Sequence, residues 1–210
     1  MDITYLGHSS FKLKGKGASI ITDPYHATNG QKFPSIGSDI VTISHDHDKH
    51  NAAELVKDQP FVVSGPGEYE IKGVKIVGVS SYHDAKQGKE KGKNTIYNIK
   101  IDGIRICHLG DIGQSELSNA QMENIGNVHI LFTPVGGRYT LDSSTASKIV
   151  AEIEPRIVIP MHYSSNELDR NLDTVSKFLK EMGATQTETT TKLSITRDKL
   201  PDELSVVVFS

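Results

Sequence analysis

Short apolar runs, rich in valine and isoleucine, recur along the chain between glycine, proline and polar turns. Runs of this length and composition predict buried or half-buried β-strands, and the pair Asp102-Gly103 predicts a tight hairpin turn between two of them. The pattern predicts strands over residues 3–6, 11–13, 18–22, 41–43, 61–63, 68–71, 74–79, 94–101, 104–109, 128–133, 157–159, 193–196 and 204–209.

Apolar residues at helical spacing lie mainly in the second half of the chain. They follow Asp142, a residue suited to capping a helix, as far as Pro155, and a second such stretch ends at Gly183. Shorter helices are predicted from Asn51 to Lys57 and from Ser115 to about Ile125. This order of elements, with no repeat or linker, predicts one α+β domain over residues 1–210, with two packed sheets and helices outside.

The composition narrows the class of protein. With 36% hydrophobic and 23% charged residues, the sequence is that of a soluble globular domain, and a net charge of −3 argues against a nucleic-acid partner held by bulk basic charge. No apolar run approaches the ~18 residues that span a bilayer, and Met1 to Lys16 lacks the features of a secretory signal. We therefore expect a cytoplasmic protein with no membrane partner. Cys107 lies in an apolar strand and is interpreted as a buried hydrophobe.

Histidines gather where predicted strands end, and this is the strongest chemical signal in the sequence. Five of the nine histidines lie just past such an end, and Asp111 does the same after Gly110. A histidine-rich surface loop alone often binds nothing, but here separate segments supply the same chemistry. Neutral imidazole is the commonest protein ligand for zinc and similar ions. The sequence therefore predicts a metal site built from the strand-end residues His45, His47, His50, His83, Asp111 and His162.

Two further segments bear on this site. Asp23-Pro24 ends a predicted strand, and Asp23 is either an ordinary turn former or a carboxylate that orients a ligating histidine from behind. Residues 85–93 carry four lysines and two glycines and are expected to form a mobile loop. That loop is either a solvated charge run or a lid that draws anionic substrates toward the site.

The order and spacing of these residues resemble the metallo-β-lactamase superfamily, whose pattern is a strand-end aspartate, then His-x-His-x-Asp-His, then His, Asp and His. The positions that match are Asp23, His45, His47, His50, His83, Asp111 and His162. The branch that includes ascorbate-6-phosphate lactonase-like hydrolases is similar at Leu6-Gly7-His8-Ser9-Ser10-Phe11, Gly92-Lys93-Asn94-Thr95-Ile96-Tyr97, Cys107-His108-Leu109-Gly110-Asp111, Pro134-Val135-Gly136-Gly137 and Ile159-Pro160-Met161-His162.

The resemblance implies a four-layer αββα sandwich and a metal-dependent hydrolase that uses metal-activated hydroxide. Zinc is the expected metal, as one or two ions, with manganese or iron as alternatives. By the same resemblance His45, His47 and His83 hold a first metal, the catalytic Asp111 bridges, and His50 with His162 holds a second. The substrate is expected to be a small anionic molecule, a lactone or a phosphoester. Substrate contacts are assigned to His8, Asn94 and Tyr139.

One residue departs from the family pattern. Lys49 stands where the motif has its aspartate, and a lysine ammonium repels a dication instead of binding it. The second metal is therefore expected to be weakened. This residue motivates an alternative function, a metal-poor and non-catalytic binding or regulatory protein of the same fold. The sequence leaves the oligomeric state open, a homo-oligomer included.

Overall fold

Two mixed β-sheets form the centre of the molecule in the computed structural model, which describes residues 1–27, 31–164 and 171–210. The strands are β1 (Asp2–Gly7), β2 (Ser10–Lys14), β3 (Ser19–Thr22), β4 (Ile40–Ile43), β5 (Phe61–Ser64), β6 (Gly67–Ile71), β7 (Val74–Tyr82), β8 (Lys93–Ile101), β9 (Ile104–His108), β10 (Ile130–Pro134), β11 (Ile157–Met161), β12 (Thr189–Thr190), β13 (Lys192–Ser194), β14 (Ser205–Val206) and β15 (Val208–Phe209). Over the described residues the first sheet has the order β13-β1-β2-β3-β4-β5 and the second has the order β14-β11-β10-β9-β8-β7-β6, while β12 and β15 form a separate pair.

Side chains along the strands of the second sheet point alternately to its two faces, and both faces are apolar. In β10, Ile130 and Phe132 point into the core between the two sheets, and Leu131 points to the opposite face. Neighbouring β11 repeats the pattern with Ile157 and Val158. Because β9, β10 and β11 run parallel and are covered on both sides, they read as continuous apolar runs.

Three α-helices lie in the described part of the chain, α1 (Asn119–Ile125), α2 (Ser143–Ile153) and α3 (Val175–Glu181). Their apolar residues pack with the outward residues of the second sheet in one buried cluster. Asp142 caps α2 by accepting a hydrogen bond from the backbone N–H of Thr145, as predicted. None of the described helices is long and apolar enough to cross a membrane.

The helix α1 begins later than the sequence suggested. The prediction began the helix at Ser115, but the structure caps α1 at Ser118, whose hydroxyl accepts from the backbone N–H of Gln121 while the Gln121 side chain bonds back to Ser118. This reciprocal pair satisfies two backbone N–H groups at the start of α1 and so favours a start at Ser118.

The outer face of the first sheet has a thinner cover. Ile21 and Val41 pack there against Val56 and the segment around Phe33. Among the described residues of this cover, the regular structure is the 3-10 turn Ala53–Leu55. The helix predicted from Asn51 to Lys57 is wrong. Asn51 does not cap this turn, which begins at Ala53 without a side-chain cap, and the Asn51 amide donates to Asp46 at 2.7 Å.

The strand directions bring the chemistry to one edge. Strands β3 and β4 are parallel, β1 shares their direction through two antiparallel pairings, and β7, β9, β10 and β11 share one direction in the second sheet. Within each sheet, the segments that follow these strands therefore lie at the same edge. The two-sheet α+β architecture and the single domain expected from the sequence agree with this arrangement.

Candidate metal centre

A cavity of about 520 Å³ opens at the edge where these strands end. It is lined by all six residues predicted as metal ligands together with two lysines, an aspartate and a tyrosine: His45, Asp46, His47, Lys49, His50, His83, Lys91, Asp111, Tyr139 and His162. Residues from five separate segments of the sequence thus share one cavity.

The carboxylate of Asp111 lies among the histidines. Its Oδ2 atom is 3.2 Å from Nε2 of His50, 3.2 Å from Nε2 of His162 and 3.5 Å from Nε2 of His83. Burial alone would raise the pKa of Asp111, but charge on His162 and His50 outweighs burial and holds this pKa well below its usual value. The ionised carboxylate can therefore be shared by several ligand positions.

Asp23 lies behind two of the candidate ligands, a position that fits the orienting role considered for it. Its Oδ2 atom is 2.8 Å from Nδ1 of His50 and accepts the Ser44 hydroxyl at 2.5 Å, while Oδ1 accepts the Ser44 backbone N–H at 2.8 Å. The Ser44 oxygen also lies 3.0 Å from Nδ1 of His45. One buried carboxylate thus fixes His50 directly and His45 through Ser44, leaving the Nε2 atom of each ring toward the cavity. Ser44 was not predicted as part of the site, although its place just before His45 was a signal.

The ring nitrogens and carboxylate oxygens fall into three groups whose atoms lie within 4.8 Å of one another: His45 with His83 and Asp111, His45 with His47 and His50, and His8 with His50 and His162. Among the described residues His45 belongs to two groups, and the trio expected for the first metal is divided between them. The assignment of that trio to a single ion stays a prediction.

Within the part of the chain that the structure describes, several buried atoms of these groups have no hydrogen-bond partner. They are Nε2 of His8, Nε2 of His45, Nδ1 of His83, Oδ1 of Asp111 and Nδ1 of His162. Unpaired polar atoms in a protein interior are costly, and clusters of them call for a bound group. Because the donors are imidazoles and a carboxylate, the residues fit zinc or a related divalent ion.

The protonation of two histidines differs sharply. Burial, and then the neighbouring His50, lower the pKa of His45 to about 3, so His45 is a neutral imidazole at pH 7. Burial alone would also lower the pKa of His50, but Asp111 and Asp23 outweigh it and raise that pKa to about 10. Since ligating imidazole must be neutral, a metal ion at His50 displaces a proton.

Asn94 does not contact substrate space, contrary to its assignment. Its side chain is 1% exposed, donates to Ser81 and to the Leu109 carbonyl, and accepts the Asp111 backbone N–H at 3.0 Å. Gly110 allows this close approach, because a Cβ there would lie 2.3 Å from the Asn94 oxygen. Asn94 therefore positions Asp111.

His8 is likewise corrected as a substrate contact. It is 8% exposed and is absent from the cavity's lining residues in the described part of the chain. Its ring centroid lies 4.4 Å from that of His162 and 5.1 Å from that of His50. Burial, then His162 and His50, hold the pKa of His8 well below its usual value.

The lysine-rich segment reaches the cavity through Lys91. The Lys91 ammonium donates to the Tyr139 carbonyl at 2.7 Å and lies 5.5 Å from the centre of the Tyr139 ring. The segment folds around Asp84, whose carboxylate accepts four backbone N–H groups, from Lys86, Gly88, Glu90 and Lys91. This role of Asp84 was not predicted from the sequence.

Comparison with known proteins establishes the family. The sequence model of the family described as "beta-lactamase superfamily domain" matches residues 2–162. The chain belongs to the β-lactamase superfamily. A superfamily relative from Thermococcus onnurineus, named "UPF0173 metal-dependent hydrolase", is 30% identical over 190 residues, which cover 78% of this chain and 84% of that protein.

Solved structures agree on the superfamily fold. A candidate zinc-dependent hydrolase of the metallo-β-lactamase superfamily from Thermotoga maritima has a TM-score of 0.82 and 36% identity, covering 99% of this chain and 97% of its own. Igni18, a metallohydrolase from Ignicoccus hospitalis, has a TM-score of 0.66 at 22% identity over 92% of this chain and 98% of its own, and supports the fold alone.

These findings confirm the superfamily and fold predicted from the sequence. The chain is a metal-dependent hydrolase of the metallo-β-lactamase fold. The comparisons do not favour the non-catalytic alternative that Lys49 motivated. The ascorbate-6-phosphate lactonase-like branch stays a prediction, because the names of these relatives specify no substrate.

Proposed function

We propose that this hydrolase acts on a small anionic ester, a lactone or a phosphoester, with zinc as its metal. The observation that carries the proposal is the position of Lys49 and Lys91, two cations that line the same cavity as the candidate ligands. In a recessed site, cations of this kind raise the local concentration of anions and orient them.

The ligand groups define where the reaction would take place. His45, His47, His83, Asp111, His50 and His162 would hold the metal. When bound, zinc supplies hydroxide at neutral pH by lowering the pKa of water, and it polarises the oxygen of the scissile bond.

The other residues of the cavity bind and orient. Lys91 is held beside Tyr139 by its hydrogen bond to the Tyr139 carbonyl, so its charge is directed along one wall. Lys49 supplies a second cation at the same cavity, close to the histidines. An anionic group on the substrate would bridge this wall while its ester bond faces Asp111. Lys49, which stands where the family motif has aspartate, would then contribute to substrate binding.

The cavity favours a small molecule. Its volume of about 520 Å³ falls within the usual range for small-ligand sites, about 300–1,000 Å³. The net charge of −3 disfavours a nucleic-acid substrate. We also place the enzyme in the cytoplasm, where the buried free thiol of Cys107 would stay reduced.

The experiment compares anionic and neutral substrates with one pair of variants. Zinc-loaded protein is assayed on p-nitrophenyl phosphate, a carboxylated δ-lactone and neutral p-nitrophenyl acetate. Lys91→Gln should raise KM for the hydrolysed anionic substrate about five-fold, because an exposed charge pair contributes up to about 1 kcal/mol. Its KM for the neutral ester should not change.

Lys89→Gln is the control, since Lys89 is an exposed lysine of the same segment that does not line the cavity. Preference for the neutral ester by the parent protein, or equal effects of the two variants, would contradict the proposal.

A further inference from the structure

His8 is a buried histidine whose chemistry the superfamily pattern does not use. Its Nε2 atom is buried and has no hydrogen-bond partner among residues 1–27, 31–164 and 171–210, and its ring lies against His50 and His162. One nitrogen from each of these three histidines falls within a single group less than 4.8 Å across. An unpaired imidazole nitrogen beside two predicted ligands of one ion is placed to bind that ion.

The backbone holds His8 in an unusual conformation. Its φ is +54°, in the left-handed region that few residues other than glycine adopt, although histidine enters it more readily than most, and such residues concentrate at functional sites. The preceding Gly7 is required, because a Cβ there would lie 2.4 Å from the Tyr25 hydroxyl. The His8 carbonyl accepts hydrogen bonds from the Tyr5 hydroxyl at 3.1 Å and the His162 backbone N–H at 3.2 Å.

These contacts link His8 to the second sheet. The His162 backbone N–H donates to the His8 carbonyl, so a backbone hydrogen bond joins the segments that follow β1 and β11. The position of His8 relative to His162 is thus fixed by the fold and does not depend on a flexible side chain alone.

We propose that His8 is a ligand of the second metal, together with His50, His162 and Asp111, and that it replaces the aspartate that the superfamily motif has at position 49. Four donors would then surround this ion, which is the number that zinc prefers. The oxygen that Asp111 shares with His50 and His162 lies 3.2 Å from the Nε2 atom of each. An imidazole donor removes the need for a carboxylate at position 49, so Lys49 can be accommodated there.

The proposal can be tested without a substrate, on metal-free protein purified without a histidine tag. Protein labelled with ¹⁵N at histidine is titrated with zinc and followed by NMR. Two equivalents of zinc should bind. The Nε2 resonance of His8 should shift to the metal-bound position at the same zinc equivalent that shifts the resonance of His162.

A matched set of variants gives the second measurement. Removing an outer partner of a ligand already weakens metal binding about 10–100-fold, so His8→Asn, which removes a ligand, should weaken the second ion at least about 100-fold. Asparagine is chosen because it tolerates positive φ. Adding Lys49→Asp to this variant should restore the second ion. His26→Asn is the control, since His26 is exposed and pairs with Glu54 outside the cavity.

Three results would overturn the proposal. These are a single zinc ion per parent chain, two ions with the His8 resonance unmoved, or unchanged affinity in His8→Asn. If His8→Asn fails to fold, the titration of the parent protein still decides. Because no substrate is used, a failure of the anionic-ester proposal leaves this result unaffected.

Discussion

Asp23→Asn is expected to weaken the metal position that uses His50 while leaving the other histidines able to bind. In the parent protein Oδ2 of Asp23 lies 2.8 Å from Nδ1 of His50 and accepts the Ser44 hydroxyl at 2.5 Å. An asparagine side chain has one oxygen instead of two. We expect this oxygen to take the place of Oδ1, because the Ser44 backbone N–H, 2.8 Å from Oδ1, needs an acceptor there. The new NH₂ group then faces Nδ1 of His50.

The consequence is a change of tautomer. A donor at Nδ1 forces the His50 proton onto Nε2, the atom that faces Asp111 at 3.2 Å and that would bind the metal. Loss of such an outer carboxylate lowers metal affinity about 10–100-fold, or about 1.4–2.7 kcal/mol. We expect the upper end of that range, because the replacement group also opposes the required tautomer.

The assay is competition titration with zinc and a chromophoric chelator, with bound metal counted by mass spectrometry. Asp39→Asn is the control, since Asp39 accepts hydrogen bonds from Ser19 away from the cavity. Equal zinc affinities in Asp23→Asn and the parent, with both folded by circular dichroism, would refute the orienting role of Asp23.

Three further predictions concern the fold and the segment beside the site. Phe132→Ala should lower the free energy of unfolding by about 3–5 kcal/mol in urea titration, because this ring is fully buried between the sheets, and a loss under 1 kcal/mol would contradict that location. Gly110→Ala should reduce zinc affinity by displacing Asp111, whereas Gly92→Ala should not, although both glycines have positive φ, since a Cβ at Gly92 meets open space. Backbone hydrogen bonds outweigh burial and lower the pKa of Asp84 to about 2 from an ordinary value of 3.8. The ionised Asp84 carboxylate therefore stabilises residues 85–92 fully above pH 3.8, and this stabilisation is lost as the pH falls through about 2. Hydrogen exchange of the amides in residues 85–92 should accelerate only as the pH falls through about 2.

Local signals in the sequence were sufficient to predict most strands and to identify the candidate ligands. Valine- and isoleucine-rich runs form strands because their side chains pack into the buried clusters on the faces of the two sheets, and the turn after each strand is where polar side chains can emerge. The strand-end positions of His45, His83, Asp111 and His162 could therefore be read directly. Asp142 was predictable as a cap, since capping depends on neighbours within one helical turn.

Contacts between distant segments could not be read in this way. The helix predicted after Asn51 is a 3-10 turn over Ala53–Leu55, and Asn94 proved to support Asp111, 17 residues away along the chain. His8 lies beside His162 because β1 and β11, from different sheets, end at the same edge. Residue types and their spacing determined which side chains could bind a metal. The packing of one sheet on the other decided which of those side chains meet, because that distance depends on the whole core and on no single stretch of sequence.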